Sequence, residues 1–90
     1  MASLESRIKA GAKVVDVRTK EEFSEEHFPD ALNIPVDQLG RRINELGEKG
    51  APIVVYCATG ARSAFAARML KSAGFTDVVN AGGLHDMPGY

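Results

Sequence analysis

Pro52-Ile53-Val54-Val55-Tyr56-Cys57-Ala58-Thr59-Gly60-Ala61-Arg62-Ser63 is the stretch that decides the fold. Ile53 to Tyr56 is a short unbroken apolar run rich in β-branched side chains, the pattern of a strand covered on both faces. Small residues and Gly60 then make a loop. Beyond it Ala66, Ala67, Leu70 and Ala73 recur at helical spacing, with Arg68, Lys71 and Ser72 on the other side, which predicts a helix over about 63–73. Strand, short loop and helix in that order form the unit of an α/β protein.

The flanks repeat the alternation. Leu4 and Ile8 lie four apart before Gly11 and read as a short helix over 4–10. Lys13 to Arg18 is β-branched and reads as a strand. Thr19-Lys20-Glu21-Glu22 has the capping-box pattern and opens a brief helix to about Glu26. Pro29 ends that region, and Ala31 to Pro35 reads as a second strand. Asp37 is the expected cap of a helix whose inner face is Leu39, Ile43 and Leu46, closed by Gly47. Asp77 to Ala81 reads as the last strand, followed by Gly82-Gly83. Strands separated by helices imply a parallel sheet of about four to five strands, flanked by helices on both faces. Ligands of such sheets bind beyond the carboxyl ends of the strands, where Cys57 and Gly82-Gly83 both fall.

Ninety residues fit one domain, 1–90, able to bury roughly 60–65% of its unfolded surface. A net charge of −1 gives no basis for nucleic acid or an anionic membrane as partner. No apolar run approaches a membrane span. The opening Met1 to Arg7 is polar and charged, so the expected compartment is the cytoplasm, or the periplasm if a leader has been removed. A single cysteine makes no internal disulfide.

Cys57 is that cysteine, and its position is telling. A loop of about five residues between a strand end and a helix start can curl so that its N–H groups face the sulfur as an anion nest. Gly60 supplies the positive φ such a curl needs, and Ala58, Thr59 and Ala61 keep the mouth open. Arg62 adds a fixed positive charge able to meet an oxyanion. These features favour a thiolate nucleophile over a merely packed thiol and point to an anionic electrophile. Cys57, His27 and His85 are too few and too scattered for a zinc site. No C-x-x-C exists, so thiol–disulfide oxidoreductase chemistry lacks a resolving cysteine.

The residues in this order resemble the rhodanese family of sulfurtransferases. Asp16-Val17-Arg18 with Glu22, His27 to Pro35, Val55-Tyr56-Cys57 with Gly60, Arg62 and Ser63, and Gly74-Phe75 with Val78 and Gly82-Gly83-Leu84 look like its successive signatures, over about 13–84. The resemblance is greatest to the small phage-shock type, which is periplasmic. It implies that Cys57 takes the outer sulfur of thiosulfate or of a persulfide donor, then passes it to cyanide or a thiol acceptor, with no metal or organic cofactor. Arg62 would orient the thiosulfate, and the amides of Ala58, Thr59, Gly60, Ala61 and Ser63 would cradle it. Asp16 and Arg18, with Glu22, would be a structural ion pair bracing the site. His27 would pack and hydrogen-bond.

The chain departs from the family at Glu26 and Asp30, where glycines are usual, and has no tryptophan after Gly-Gly-Leu, a space for Met87 to fill. The family's first edge strand is not evident, which favours four strands. Two rival readings stand beside turnover. One is a docking or sulfur-relay module that holds the persulfide for a protein acceptor. The other is a phosphatase or arsenate reductase of related fold, which would need a Cys-x5-Arg loop where this chain has Cys-x4-Arg. Phe65, just beyond the loop, and His85, near the tail, are the further residues placed to reach the site mouth.

Overall fold

The computed structural model describes residues 3–90, so Met1 and Ala2 of the polar opening lie outside the described residues. Four parallel strands form one sheet: β1 (Lys13–Asp16), β2 (Leu32–Asn33), β3 (Ile53–Cys57) and β4 (Val78–Gly83), in the order β2-β1-β3-β4. Three α-helices accompany them: α1 (Leu4–Lys9), α2 (Lys20–Glu25) and α3 (Ala61–Ser72). The α/β reading and the four-strand count agree with this architecture.

Alternation along β3 explains why it is central. Ile53, Val55 and Cys57 face one side, with Val15, Val17 and Val78, and pack under Ala66, Ala67 and Leu70 of α3. The alanines let α3 lie close to the sheet. Val54 and Tyr56 face the other side with Val14, Leu84 and Met87, covered by Leu4 and Ile8 of α1. Met87 is 2% exposed there, packed in this second cluster.

The helix expected from Asp37 does not form. Two 3-10 turns, Val36–Gln38 and Ile43–Leu46, take its place, and Asp37 lies inside the first without capping anything. Pro35 has no N–H to give, and the chain closes i→i+3 bonds such as Gln38 N–H to the Pro35 carbonyl (2.8 Å). Gly40 then lies between the turns, where a helix would need a better former. The apolar spacing is still served, because Leu39 and Leu46 are buried and Ile43 packs against the same core. The expected strand over 31–35 is regular only at Leu32–Asn33, although Ile34 N–H still reaches the Asp16 carbonyl (3.0 Å).

Asp30, at a family glycine position, has φ +66. Asp tolerates this left-handed conformation better than most side chains. Arg7 ties α1 to the start of β4 through Asp77 (2.8 Å). Among the described residues no helix is long and apolar enough to cross a membrane.

Candidate active site

β3 ends at Cys57 and β4 ends at Gly83, paired side by side. α3 begins at Ala61, two residues before the expected start, so Arg62 and Ser63 belong to its first turn. The first-turn N–H groups of a helix have no partner within it. The Cys57 sulfur takes one of them: Ser63 N–H points at Sγ at 3.4 Å, and Gly60 N–H donates to it at 2.9 Å. Gly60 holds φ +103, which lets the loop curl around the sulfur.

Ser63 is wholly buried, and its Oγ lies 3.3 Å from Sγ. Burial pushes the Cys57 thiol up, but the Ser63 hydroxyl and the N–H groups of Ser63, Gly60 and Thr59 push it down. The hydrogen bonds prevail, and the thiol titrates below its ordinary value. Cys57 itself has no exposed surface. Ala58, Thr59 and Ala61 are exposed around it and form the mouth of the loop.

Close backbone contact fixes the mouth on the β4 side. A Cβ at Gly83 would strike the Ala58 carbonyl oxygen, and one at Gly60 would sit 3.5 Å from Gly82 Cα. Asp86 locks the same corner by accepting from Gly83 N–H (2.8 Å). Gly83 is therefore needed for close approach and Gly60 for its left-handed turn.

Arg62 pairs with Glu22. Its two terminal nitrogens meet the two carboxylate oxygens at 2.7 and 3.0 Å. Glu22 also closes the capping box of α2, accepting from Thr19 N–H (3.0 Å) and Thr19 Oγ (3.1 Å). The Arg62 guanidinium is the first cause holding the Glu22 carboxyl down, to about 2. One residue thus caps a helix and anchors the cysteine loop. Three guanidinium N–H donors of Arg62 stay free of this pair.

Asp16 and Arg18 form a separate buried pair. Arg18 Nε and NH2 meet Asp16 Oδ2 at 3.1 and 2.7 Å, and Tyr56 O–H donates to the same oxygen at 2.7 Å. Arg18 also donates to the Glu26 carbonyl (2.6 Å), and Tyr56 Oη accepts from Phe28 N–H (3.0 Å). Glu22 takes no part in this network. His27 stacks on Phe23 with centroids 3.7 Å apart, and its Nδ1 meets the Phe23 carbonyl (2.8 Å). Phe65 is 57% exposed on α3 and borders a cleft with Val36, Asp37, Ala61 and Arg62. His85 packs edge-on against Tyr90 in the C-terminal turn. Among the described residues no cluster of three metal-ligating side chains occurs.

A family model for the rhodanese-like domain matches residues 1–86. The chain belongs to the rhodanese family. This rhodanese domain is 39% identical over 74 residues to thiosulfate sulfurtransferase PspE of Escherichia coli K12, a match covering 81% of the chain and 71% of that protein. It is 40% identical over 67 residues to the putative sulfur carrier protein YrkF of Bacillus subtilis, covering 74% of the chain but only 36% of that protein. The tRNA sulfurtransferase of Thermoplasma acidophilum is 38% identical, and the match spans 15% of its length. Among solved structures, a rhodanese with anions from E. coli superposes with a TM-score of 0.82 at 37% identity, covering 87% of this chain and 93% of that one. The human single-domain sulfurtransferase TSTD1 also gives 0.82, at 28% identity, covering 92% and 87%. Three of these relatives are sulfurtransferases by name, and the rhodanese domain described here is a sulfurtransferase domain.

Two residues of the site, Tyr56 and Asn80, stand in stretches that carry the family resemblance but were given no role in the sequence. Tyr56 carried a signal, a polar tip inside an apolar strand. Asn80 carried none, because its role depends on an irregularity in β4 that local pattern does not announce.

Proposed function

We propose that the protein moves a sulfane sulfur from thiosulfate to a thiophilic acceptor through a persulfide on Cys57. The observation that carries this reading is the convergence of Gly60 N–H and Ser63 N–H on a sulfur held at the head of α3. Such a cradle stabilises negative charge, first on the thiolate and then on the persulfide.

The Cys57 thiolate attacks the outer sulfur of thiosulfate. A new S–S bond forms, the old one breaks, and sulfite leaves with its electron pair. The terminal sulfur of the Cys57 persulfide then carries the charge. Cyanide or a thiolate attacks that sulfur and takes it away, returning Cys57 as thiolate. The exchange is electron-balanced and uses no metal or organic cofactor. Arg62 supplies positive charge beside the entrance and retains donors for the sulfonate oxygens, while the small side chains of Ala58, Thr59 and Ala61 keep the entrance open. Asp16, Arg18 and Tyr56 hold the adjoining strand ends.

Steady-state thiosulfate:cyanide kinetics test this. Cys57→Ser abolishes transfer with the fold intact, and Arg62→Ala raises KM for thiosulfate with a smaller effect on kcat. Full activity in Cys57→Ser contradicts the mechanism, and unchanged thiosulfate saturation in Arg62→Ala removes Arg62 from the donor site. A second reading, relay to a protein acceptor, draws on the likeness to a putative sulfur carrier. Faster persulfide discharge by a protein thiol than by cyanide favours relay, and the reverse favours small-molecule turnover.

A further inference from the structure

The Ser63 hydroxyl has more acceptors than it has protons. Asn80 Oδ1 lies 2.6 Å from its Oγ, the Gly60 carbonyl 3.1 Å, the Gly82 carbonyl 3.3 Å and the Cys57 sulfur 3.3 Å. The orientation of the Asn80 amide is fixed by its other partners. Gly82 N–H donates to its Oδ1 (2.9 Å), and its Nδ2 donates to the Gly60 carbonyl (3.4 Å). Ser63 is therefore the donor in the short bond to Asn80. Among the described residues, the hydrogen-bond partner of Ser63 Oγ with a proton to give is the Cys57 thiol. In the neutral site the chain of donors runs from Cys57 to Ser63 to Asn80.

Ionising the thiol breaks this chain. A hydroxyl lone pair would then face a negative sulfur, so the hydroxyl must turn its proton to Sγ and give up Asn80. Asn80 is held in place by a bulge: it pairs with Val55, Gly82 pairs with Tyr56, and Ala81 is left over. Gly82, at φ +96, turns its N–H back onto the Asn80 side chain.

We propose that Asn80 is a positioning residue that competes with the Cys57 sulfur for the single proton of Ser63, and so sets how readily that sulfur ionises. Its meaning for turnover rests on the sulfur-transfer reading. In the persulfide the charge moves one atom outward, the sulfur next to Ser63 becomes neutral, and the hydroxyl proton returns to Asn80. Asn80 thereby favours the loaded site over the empty thiolate.

The test is a pH titration of the ultraviolet absorbance of the Cys57 thiolate in the full chain, with Cys57→Ser as blank and no sulfur donor present. Asn80→Ala lowers the apparent thiol pKa, raising the thiolate fraction below the inflection about fivefold, the worth of one neutral hydrogen bond. In a Ser63→Ala background the same substitution leaves the pKa where it is. A raised or unmoved pKa in Asn80→Ala overturns the proposal, as does a fall that persists without Ser63. Should Asn80→Ala lose its circular-dichroism signature, Asn80→Asp replaces it. A carboxylate holds the proton more firmly, so the pKa rises further with Ser63 present than with Ser63→Ala, and equal rises overturn the proposal. Because no donor is used, failure here is distinct from failure to load sulfur from thiosulfate.

Discussion

Glu22 shows how one side chain joins two elements. It caps α2 and grips Arg62 in the first turn of α3, and both bonds need its charge or its oxygens. Its carboxyl is depressed from an ordinary 4.5 to about 2. A depressed acid contributes stability that is present above its unfolded value and is lost as pH falls through its folded value. The pair is about one-third exposed, so its worth is modest, about 1 kcal/mol. Glu22→Gln keeps the cap but not the charge. Chemical denaturation across pH then shows the variant less stable by about that amount at neutral pH, with the gap closing from about 4.5 down towards 2. A gap unchanged at the acid end would mean that the charge on Glu22 does not matter to the fold.

At the scale of elements, the corner between the Cys57 loop and β4 is set by backbone contact. Gly83→Ala drives a methyl group into the Ala58 carbonyl, whereas Gly40→Ala meets nothing within 4 Å. The first costs about 2–3 kcal/mol and slows sulfur transfer. The second stays within about 0.5 kcal/mol of the parent. Thermal melts of the two variants check the contrast, and equal melting temperatures would remove the close approach from the account.

The elements differ in how far their sequence announced them. β3, α3 and the capping box on Thr19 and Glu22 were legible because period, small-residue stripe and cap chemistry all agree there. The 36–46 segment misled because Leu39, Ile43 and Leu46 have helical spacing, yet Pro35 and Gly40 favour two tight turns. The partner of Glu22 was hidden as well, since Arg62 is forty residues away and only the parallel pairing of β1 and β3 brings their loops together. Asn80 was silent for a similar reason, as the bulge at Ala81 is a property of the β3–β4 register.

At the scale of the whole molecule, the sheet separates two apolar clusters, and the polar networks sit at its carboxyl edge. On the face with α3 the edge holds Cys57 and Ser63. On the other face it holds Tyr56, which joins Asp16 to Phe28 N–H. No buried side-chain nitrogen or oxygen among the described residues lacks a partner. Tyr56→Phe removes both bonds and leaves the Phe28 N–H without an acceptor. We expect a loss of about 1–3 kcal/mol in equilibrium unfolding, with Cys57 still able to accept sulfur. A variant as stable as the parent would show that the network does not brace the strand ends.

The central claim is that Cys57 carries the transferred sulfur. Intact mass of the purified protein before thiosulfate, after thiosulfate and after cyanide tests it most directly. The account predicts a gain of one sulfur atom, mapped to Cys57 and removed by cyanide. No gain on a protein whose Cys57 is reduced and open to alkylation would contradict it.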